Sequence, residues 1–335
     1  MSTSSPSARR RPAKPPLTDN GPSPPGPIAH FTRQWAHAWN QFWFQPQSPT
    51  VLGLVRIMVG AILLYTHLVW TFRLQSFLGA DGMLPAAYRD ALYGNSFCWS
   101  HLGWFESPSI LMTVHVIGLI IVTMFMLGLW TRWTAIASAL LAISYANRAT
   151  GALFGLDQIN VFLCMYLAIG NCGDAWSLDQ HLKHRGGAGQ GSRSRIKTTL
   201  TRIATRLIQV HMCIVYLFAG IGKLQGDTWF SGEAIWLALA SYEYQTLDMT
   251  WLSGHLWIVA ILSLLTLAGE LAYPALVWPQ LSRPIVLLIA IPVHLGIGLC
   301  MGMMPFALIM LVGNFAFIEP TWLDRKSNQT NSLDT

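Results

Sequence analysis

The sequence predicts an all-α integral membrane protein, a bundle of about eight transmembrane helices preceded by an N-terminal interfacial helix. Hydrophobic residues make up 53% of the 335 residues and charged residues only 11%, whereas a soluble domain carries roughly 25% charged residues. The hydrophobic residues lie in blocks close to the ~20 residues that a helix needs to cross a ~30 Å hydrocarbon core. The net charge of +6 comes mainly from a tail and one loop, a pattern typical of membrane proteins that argues against nucleic-acid binding.

The chain begins with two segments that do not span a membrane. Residues 1–30 are basic and rich in Ser and Pro without a hydrophobic stretch, so they predict a disordered tail and not a signal peptide. Within residues 31–46, Trp35, Trp39 and Trp43 recur at nearly helical spacing. Aromatic rings favour the headgroup level. The segment therefore predicts a helix that lies on the cytoplasmic membrane surface.

Eight hydrophobic segments follow within a transmembrane domain predicted for residues 47–320, before a C-terminal tail at 321–335. The third and fourth segments are short, and the residues between them favour a chain break, so a tilted or re-entrant hairpin is the alternative for this pair. The predicted spans are residues 50–71, 109–130, 132–147, 153–170, 200–222, 251–273, 284–301 and 304–318.

The distribution of Lys and Arg orients these spans. The N-terminal tail and residues 181–197 are both strongly basic, and four crossings lie between them. The positive-inside rule places both on the cytoplasmic side, together with the C-terminus. Residues 72–107 and 223–250 are then external. We expect an integral protein of a bacterial cytoplasmic (inner) membrane with the lipid bilayer as its partner and with both termini cytoplasmic.

Cysteine spacing does not predict a disulfide scaffold, a redox motif or a metal site. We expect the thiols to be dispensable and no metal to be bound, because cysteines in apolar segments usually act as small hydrophobic residues. The five cysteines are Cys98, Cys164, Cys172, Cys213 and Cys300.

Ionisable groups within the hydrophobic segments are costly to bury, so each is a functional candidate. Arg56 lies near the cytoplasmic end of its span, where its side chain can reach water, and anchoring or helix pairing is its expected role. His67 and His115 fit core histidines whose hydrogen bonds are satisfied. Glu270 must pair, stay protonated or line a polar cavity. His294 lies among glycines that favour close helix packing.

Residues 216–234 form the most informative segment. An apolar helix ends in Ala219 and Gly220, and Lys223 follows. The span boundaries predict that Lys223 lies at the outer membrane edge. Trp229 comes next, among turn-forming residues. A lysine held against apolar surface can act as a base, because desolvation disfavours its ammonium form. The alternative is an interfacial lysine that reaches the lipid headgroups.

The order of Tyr, Ala-Gly, Lys-Leu, Trp and Gly in residues 216–232 resembles the signature of the vitamin K-dependent gamma-carboxylase/HTTM superfamily. The resemblance covers nearly the whole membrane region in order. It includes LVRIMVG (54–60), GLWTRW (128–133), GDAWSLD (173–179) and HLGIGLCMGMMPF (294–306).

This resemblance implies a reduced vitamin K or menaquinone-type quinol as cofactor. It implies that Lys223 is the base that deprotonates the quinol and that His294 is the family's late-span histidine, with Glu270 as a further candidate. Tyr216, Gly220 and Trp229 are then candidates for cofactor contacts. The sequence shows no counterpart of the carboxylase's large lumenal domain, so we expect quinol-related carboxylase/epoxidase-like chemistry at the outer face without propeptide-directed protein carboxylation.

Two other classes of function fit the same sequence. A transporter or lipid-binding protein would line a pathway with its intramembrane charges, and a structural membrane protein would use the motif residues only to pack helices. A quinone-sized cavity at Lys223 favours the enzyme, a path open to both faces favours transport, and a solid core favours the structural role. No protein partner is indicated.

Overall fold

The computed structural model describes residues 26–94, 98–185 and 197–323. Most of the predicted tail at 1–30, the Gly/Ser-rich part of the basic loop and most of the tail at 321–335 lie outside these ranges. Helices and turns make up the described part of the chain, where no β-strand forms. The α-helices in chain order are α1 (Pro27–Phe44), α2 (Thr50–Thr71), α3 (Leu74–Leu78), α4 (Ala86–Tyr93), α5 (Pro108–Leu127), α6 (Thr131–Arg148), α7 (Gly155–Ile169), α8 (Leu178–Arg185), α9 (Thr199–Lys223), α10 (Asp227–Ser231), α11 (Ala234–Ala240), α12 (Leu256–Leu276), α13 (Arg283–Cys300) and α14 (Met304–Phe315).

Each of the eight predicted spans coincides with one of these helices. The largest shift is at the sixth, which begins at Leu256 because Thr250–Gly254 forms a separate 3-10 turn. By length and composition, five of the eight described helices can cross a membrane: α2, α5, α9, α12 and α13. The other three are α6, which is rich in Ser, Thr and Arg, and the shorter apolar helices α7 and α14.

Helix α1 begins at Pro27, within the stretch predicted to be disordered. The residues before Phe42 form one compact unit, and Phe42–Thr335 forms the other. In the first unit the rings of Trp35 and Trp39 stack with their centroids 5.4 Å apart, and both side chains are exposed. The predicted helix therefore exists, while its place at the membrane surface stays a prediction.

The second unit is organised around α2. Helices α5, α7 and α14 pack against it, and 56% of its most apolar stretch is buried in the bundle, compared with 22% for α12 and 17% for α13. Helix α12 packs mainly against α9, while α13 packs mainly against α14. The bundle thus has a firmly packed centre at α2 and two helices whose apolar side chains mostly face outward.

The connections predicted to be external contain short helices that pack onto the spans. In the first connection, the buried Arg148 donates hydrogen bonds to the carbonyl oxygens of Gly79 and, at 2.8 Å, of Leu84. In the second connection, α10 and α11 pack against the first half of α12, where Ile235 N–H donates to the Ser263 hydroxyl at 3.2 Å. These connections therefore cap one end of the bundle.

Candidate functional site

Lys223 and Glu270 form an ion pair between α9 and α12. The Lys223 Nζ atom lies 2.9 Å from Oε1 and 2.8 Å from Oε2 of Glu270, and the two side chains are only 22% and 18% exposed. The carboxylate offsets the cost of partial burial of the ammonium group. Although Oε2 is close to Nζ, it is buried and receives no well-directed hydrogen bond. It therefore keeps the capacity to accept one from a ligand.

Trp229 covers this ion pair from the short helix α10. Its ring centroid lies 5.0 Å from Lys223 Nζ, which places the ammonium over an aromatic face in a cation–π contact. Gly232 directly follows α10, and its φ of 82° is in the left-handed region. A Cβ at Gly232 would lie 2.7 Å from Ala260 Cβ, so a glycine here lets the chain turn tightly against α12 and hold Trp229 in place.

Gly220 lets α9 and α12 approach each other beside the pair. A Cβ at this position would lie 2.9 Å from Leu271 Cδ2, 3.0 Å from its Cγ and 3.2 Å from its backbone nitrogen. The first distance is too short for a real contact and the other two are tighter than most, so Leu271 or the helices would have to shift to admit a side chain. Gly220 therefore acts through helix packing at the site.

We expect Gly220→Ala to destabilise the protein and to weaken the contact between Lys223 and Glu270. Gly222 provides a matched control, because a Cβ there meets nothing within 4 Å, and a helical Gly→Ala change in open space should stabilise by about 1 kcal/mol. Thermal unfolding of both variants in detergent measures the contrast. Equal midpoints for the two variants would contradict the packing role of Gly220.

A second polar cluster lies one to two turns along the same helices. Tyr216 and Tyr273 stack with their ring centroids 3.8 Å apart. The Tyr273 hydroxyl donates to Asn314 Oδ1 at 2.5 Å, and Asn314 Nδ2 donates to the Tyr216 hydroxyl oxygen at 3.0 Å. All three side chains are buried, so α9, α12 and α14 are joined through their polar atoms.

His294 on α13 completes this cluster. Its Nδ1 lies 2.8 Å from the Ala290 carbonyl oxygen, which can only accept, so Nδ1 carries a proton. In a neutral ring Nε2 is then an acceptor, and the Tyr216 hydroxyl donates to it at 3.3 Å. The hydrogen bonds of the cluster all run in one direction, from Tyr273 through Asn314 and Tyr216 to His294.

The residues predicted for the site thus gather along one seam of the bundle. Tyr216, Gly220 and Lys223 are spaced by four and three residues on α9, which places them on one face of the helix. Glu270 and Trp229 join Lys223, while His294 joins Tyr216. Sequence reasoning missed Tyr273 and Asn314, although a polar Asn314 within an otherwise apolar helix was a signal.

Lys223 is the last residue of α9, and its place at the outer membrane edge stays a prediction. Glu270 is fourteen residues after Leu256, where α12 begins, which corresponds to about 21 Å of helix. The preceding part of α12 is covered by α10 and α11. The pair therefore lies beneath a helical cap and well inside the length of α12.

The three other family-like segments meet at a different place in the fold. Arg56 is fully buried and donates to the carbonyl oxygens of Cys172 at 2.8 Å, Ala175 at 3.4 Å and Trp176 at 2.5 Å. The expectation that Arg56 extends to water is therefore wrong, because backbone carbonyls bind both terminal nitrogens of its guanidinium inside the bundle. Its role as an anchor is consistent with these contacts.

Asp179 lies outside the spans and stabilises the same region through hydrogen bonds. Its carboxylate accepts hydrogen bonds from the backbone N–H groups of Trp130 and Thr131 and from the Thr131 hydroxyl, each at 2.8 Å. Partial burial acts to raise the pKa of Asp179, but these hydrogen bonds outweigh it and hold the pKa below the usual range. The segments at 128–133 and 173–179 therefore stabilise a part of the fold that does not include Lys223.

A comparison with known families decides the assignment. The model of the HTTM domain matches residues 44–322, most of the chain. This chain belongs to the HTTM family. The HTTM protein is accordingly an integral membrane protein, related to the transmembrane region of the gamma-carboxylase. No curated protein and no solved structure matches the chain. Within the described ranges of this HTTM protein, no group of three or more His, Cys, Asp or Glu side chains is placed to hold a metal ion.

Proposed function

We propose that this HTTM protein binds a reduced quinone of the vitamin K or menaquinone type beside the Lys223–Glu270 pair and removes a proton from its hydroxyl group. The observation that supports the proposal is the partly buried ion pair beneath Trp229, in which Glu270 Oε2 has no directed hydrogen bond. An aromatic ligand with a hydroxyl group fits these residues, because Trp229 offers a ring and Oε2 an acceptor.

Access from the lipid also supports a lipophilic ligand. Helix α12 carries Glu270 and α13 carries His294, and only 22% and 17% of their most apolar stretches are buried in the bundle. A quinol dissolved in the hydrocarbon core would reach this side of the bundle without entering water. The seam between α9 and α12 is then the proposed entry.

The Lys223–Glu270 pair can act as a base because the amine and the carboxylate share one proton. When that proton lies on Glu270, Lys223 has a free lone pair and can accept a second proton, and the pair then carries both. The base is thus Lys223 acting together with Glu270, because the two groups lie 2.9 Å apart and one proton can pass between them. The bound quinol supplies the acidic hydroxyl and, after deprotonation, an electron-rich ring for the carboxylase/epoxidase-like reaction. Tyr216 and His294 hold the adjoining wall of the seam in a fixed geometry.

Mass spectrometry of the purified protein for bound quinone tests the binding step. We expect the unaltered protein and the Gly222→Ala control to retain a quinone and Glu270→Gln to lose most of it, because an amide leaves the Lys223 ammonium without its counter-ion. Absence of quinone from the unaltered protein, or equal retention in Glu270→Gln, would contradict the proposal. Transport, lipid binding or a structural role would then be the better description.

The proposed orientation has its own test by cysteine labelling in a variant that lacks the native thiols. Tyr242, a 95% exposed residue after α11, should react as Tyr242→Cys with an impermeant maleimide applied outside intact cells. Ser192→Cys in the basic loop should react only after the membrane is opened, because the positive-inside rule keeps that loop cytoplasmic. Labelling of Ser192→Cys from outside would reverse the topology.

A further inference from the structure

A small polar cavity lies between α2, α6 and α7, apart from the Lys223 seam. It has a volume of about 20 Å³, and His67, Tyr145, Asp157 and Asn160 are among the residues that line it. The volume is above the ~10–15 Å³ that one water molecule requires and far too small for a quinone. Any occupant is therefore the size of a single water molecule.

Two of the residues that line this cavity each have a buried polar atom without a hydrogen-bond partner, namely His67 Nε2 and Asn160 Oδ1. Their side chains are only 2% and 3% exposed. A buried polar atom without a partner is unfavourable, and in native proteins such atoms are usually satisfied by ordered water. The two residues come from α2 and α7, so a shared partner would connect these helices.

The protonation of His67 defines what this partner must be. Its Nδ1 lies 2.8 Å from the Leu63 carbonyl oxygen, which only accepts, so Nδ1 carries the proton. The ring centroid lies 4.3 Å from that of Tyr145, and the ring is parallel to the His115 ring. Nε2 of the neutral ring is then an acceptor, as is Asn160 Oδ1.

His115 shows that the neighbouring polar atoms are already satisfied. Its Nε2 lies 2.8 Å from the Thr71 hydroxyl and its Nδ1 lies 2.7 Å from the Tyr145 hydroxyl. The expectation of a core histidine with satisfied hydrogen bonds is therefore consistent with His115, whereas His67 retains one acceptor. Of these two histidines, His67 is therefore the one with a ring nitrogen that lacks a hydrogen-bond partner, and it lines the cavity.

We infer that the cavity binds one ordered water molecule, which donates one hydrogen bond to His67 Nε2 and the other to Asn160 Oδ1. Water has two donor hydrogens and thus matches two acceptors. The bound water is a polar link between α2 and the shorter helix α7. It assigns His67 and Asn160 the role of a water site within the membrane domain.

A cavity-filling variant gives opposite results for a wet and a dry cavity. Ala146 lines the cavity, and Ala146→Val would expel a water molecule and leave both acceptors unsatisfied. We expect its unfolding midpoint to fall below that of Ala137→Val, a control on the same helix for the helix propensity of valine. A midpoint for Ala146→Val above that of the control would show that the cavity is dry and would overturn the inference.

A second background separates loss of water from a steric clash. In the double variant His67→Phe/Asn160→Leu both acceptors are gone, so adding Ala146→Val should no longer lower the midpoint relative to Ala137→Val. The same decrease in both backgrounds would show that the valine only clashes, and would overturn the inference. A density map that resolves ordered waters should also show a peak within hydrogen-bond distance of both atoms in the unaltered protein, and an empty cavity in that map would contradict it.

Discussion

Lys223→Arg should lower quinol turnover by roughly 10²–10⁴-fold, the contribution typical of a positioned acid or base. Arginine keeps the positive charge and can still pair with Glu270, but its guanidinium does not release a proton in proteins. The variant should therefore insert and fold normally while losing the base. Single-turnover oxidation of a reduced naphthoquinone by dissolved molecular oxygen, which accepts the two electrons, measures the effect when it is monitored by absorbance and corrected for the rate without protein.

Two further variants distinguish a base at Lys223 from a structural anchor. Glu270→Gln should also lose turnover, because glutamine cannot take up the proton that leaves Lys223 free. The double variant Lys223→Met/Glu270→Leu removes both charges together, so it should keep its stability while remaining inactive. Full activity of Lys223→Arg would show that the lysine is only an anchor and would remove the main support for an enzyme.

Arg56→Met should cause the largest loss of stability. The guanidinium is fully buried and satisfies the carbonyl oxygens of Cys172, Ala175 and Trp176. A methionine removes the hydrogen bonds that Arg56 donates to these carbonyl oxygens, and a buried acceptor that loses its donor costs about 1–3 kcal/mol. We expect poor expression or an unfolding midpoint well below that of the unaltered protein in detergent.

Arg132→Met is the matched control for this prediction. Arg132 is exposed, and its contacts with the carbonyl oxygens of Ala168 and Ile169 are long, at 3.4 and 3.5 Å. Its loss should change stability little. If Arg56→Met were as stable as Arg132→Met, the carbonyl contacts of Arg56 would not be what fastens residues 172–176 to α2.

The helices could be predicted from the sequence because each long hydrophobic block forms one helix. Residues 50–71 were bounded correctly, since apolar composition starts and stops sharply there. The sixth span was drawn five residues too early, because Trp251 and Leu252 are apolar although they form a 3-10 turn. Local composition reports burial in lipid but not which turn type the backbone adopts.

The sequence predicted which residues belong to the candidate site but not which of them contact each other. Lys223 and Glu270 each stood out as a charge that is costly to bury, yet they are 47 residues apart in sequence, and only the packing of α9 on α12 brings them together. The packing of α10 and α11 against α12 was also not predicted, because contacts between distant segments leave no local pattern in the sequence. Asn314 was missed because its importance arises from the tyrosines that reach it from two other helices.

The uneven burial of the helices has a consequence for motion. Helix α12 has most of its apolar surface outside the bundle, so fewer contacts must break to displace it than to displace α2, and regions with few buried contacts open most readily. Any separation of α12 from α9 also parts Glu270 from Lys223. If the proposed ligand enters between these helices, it must break the ion pair, and its binding would then uncover both charges.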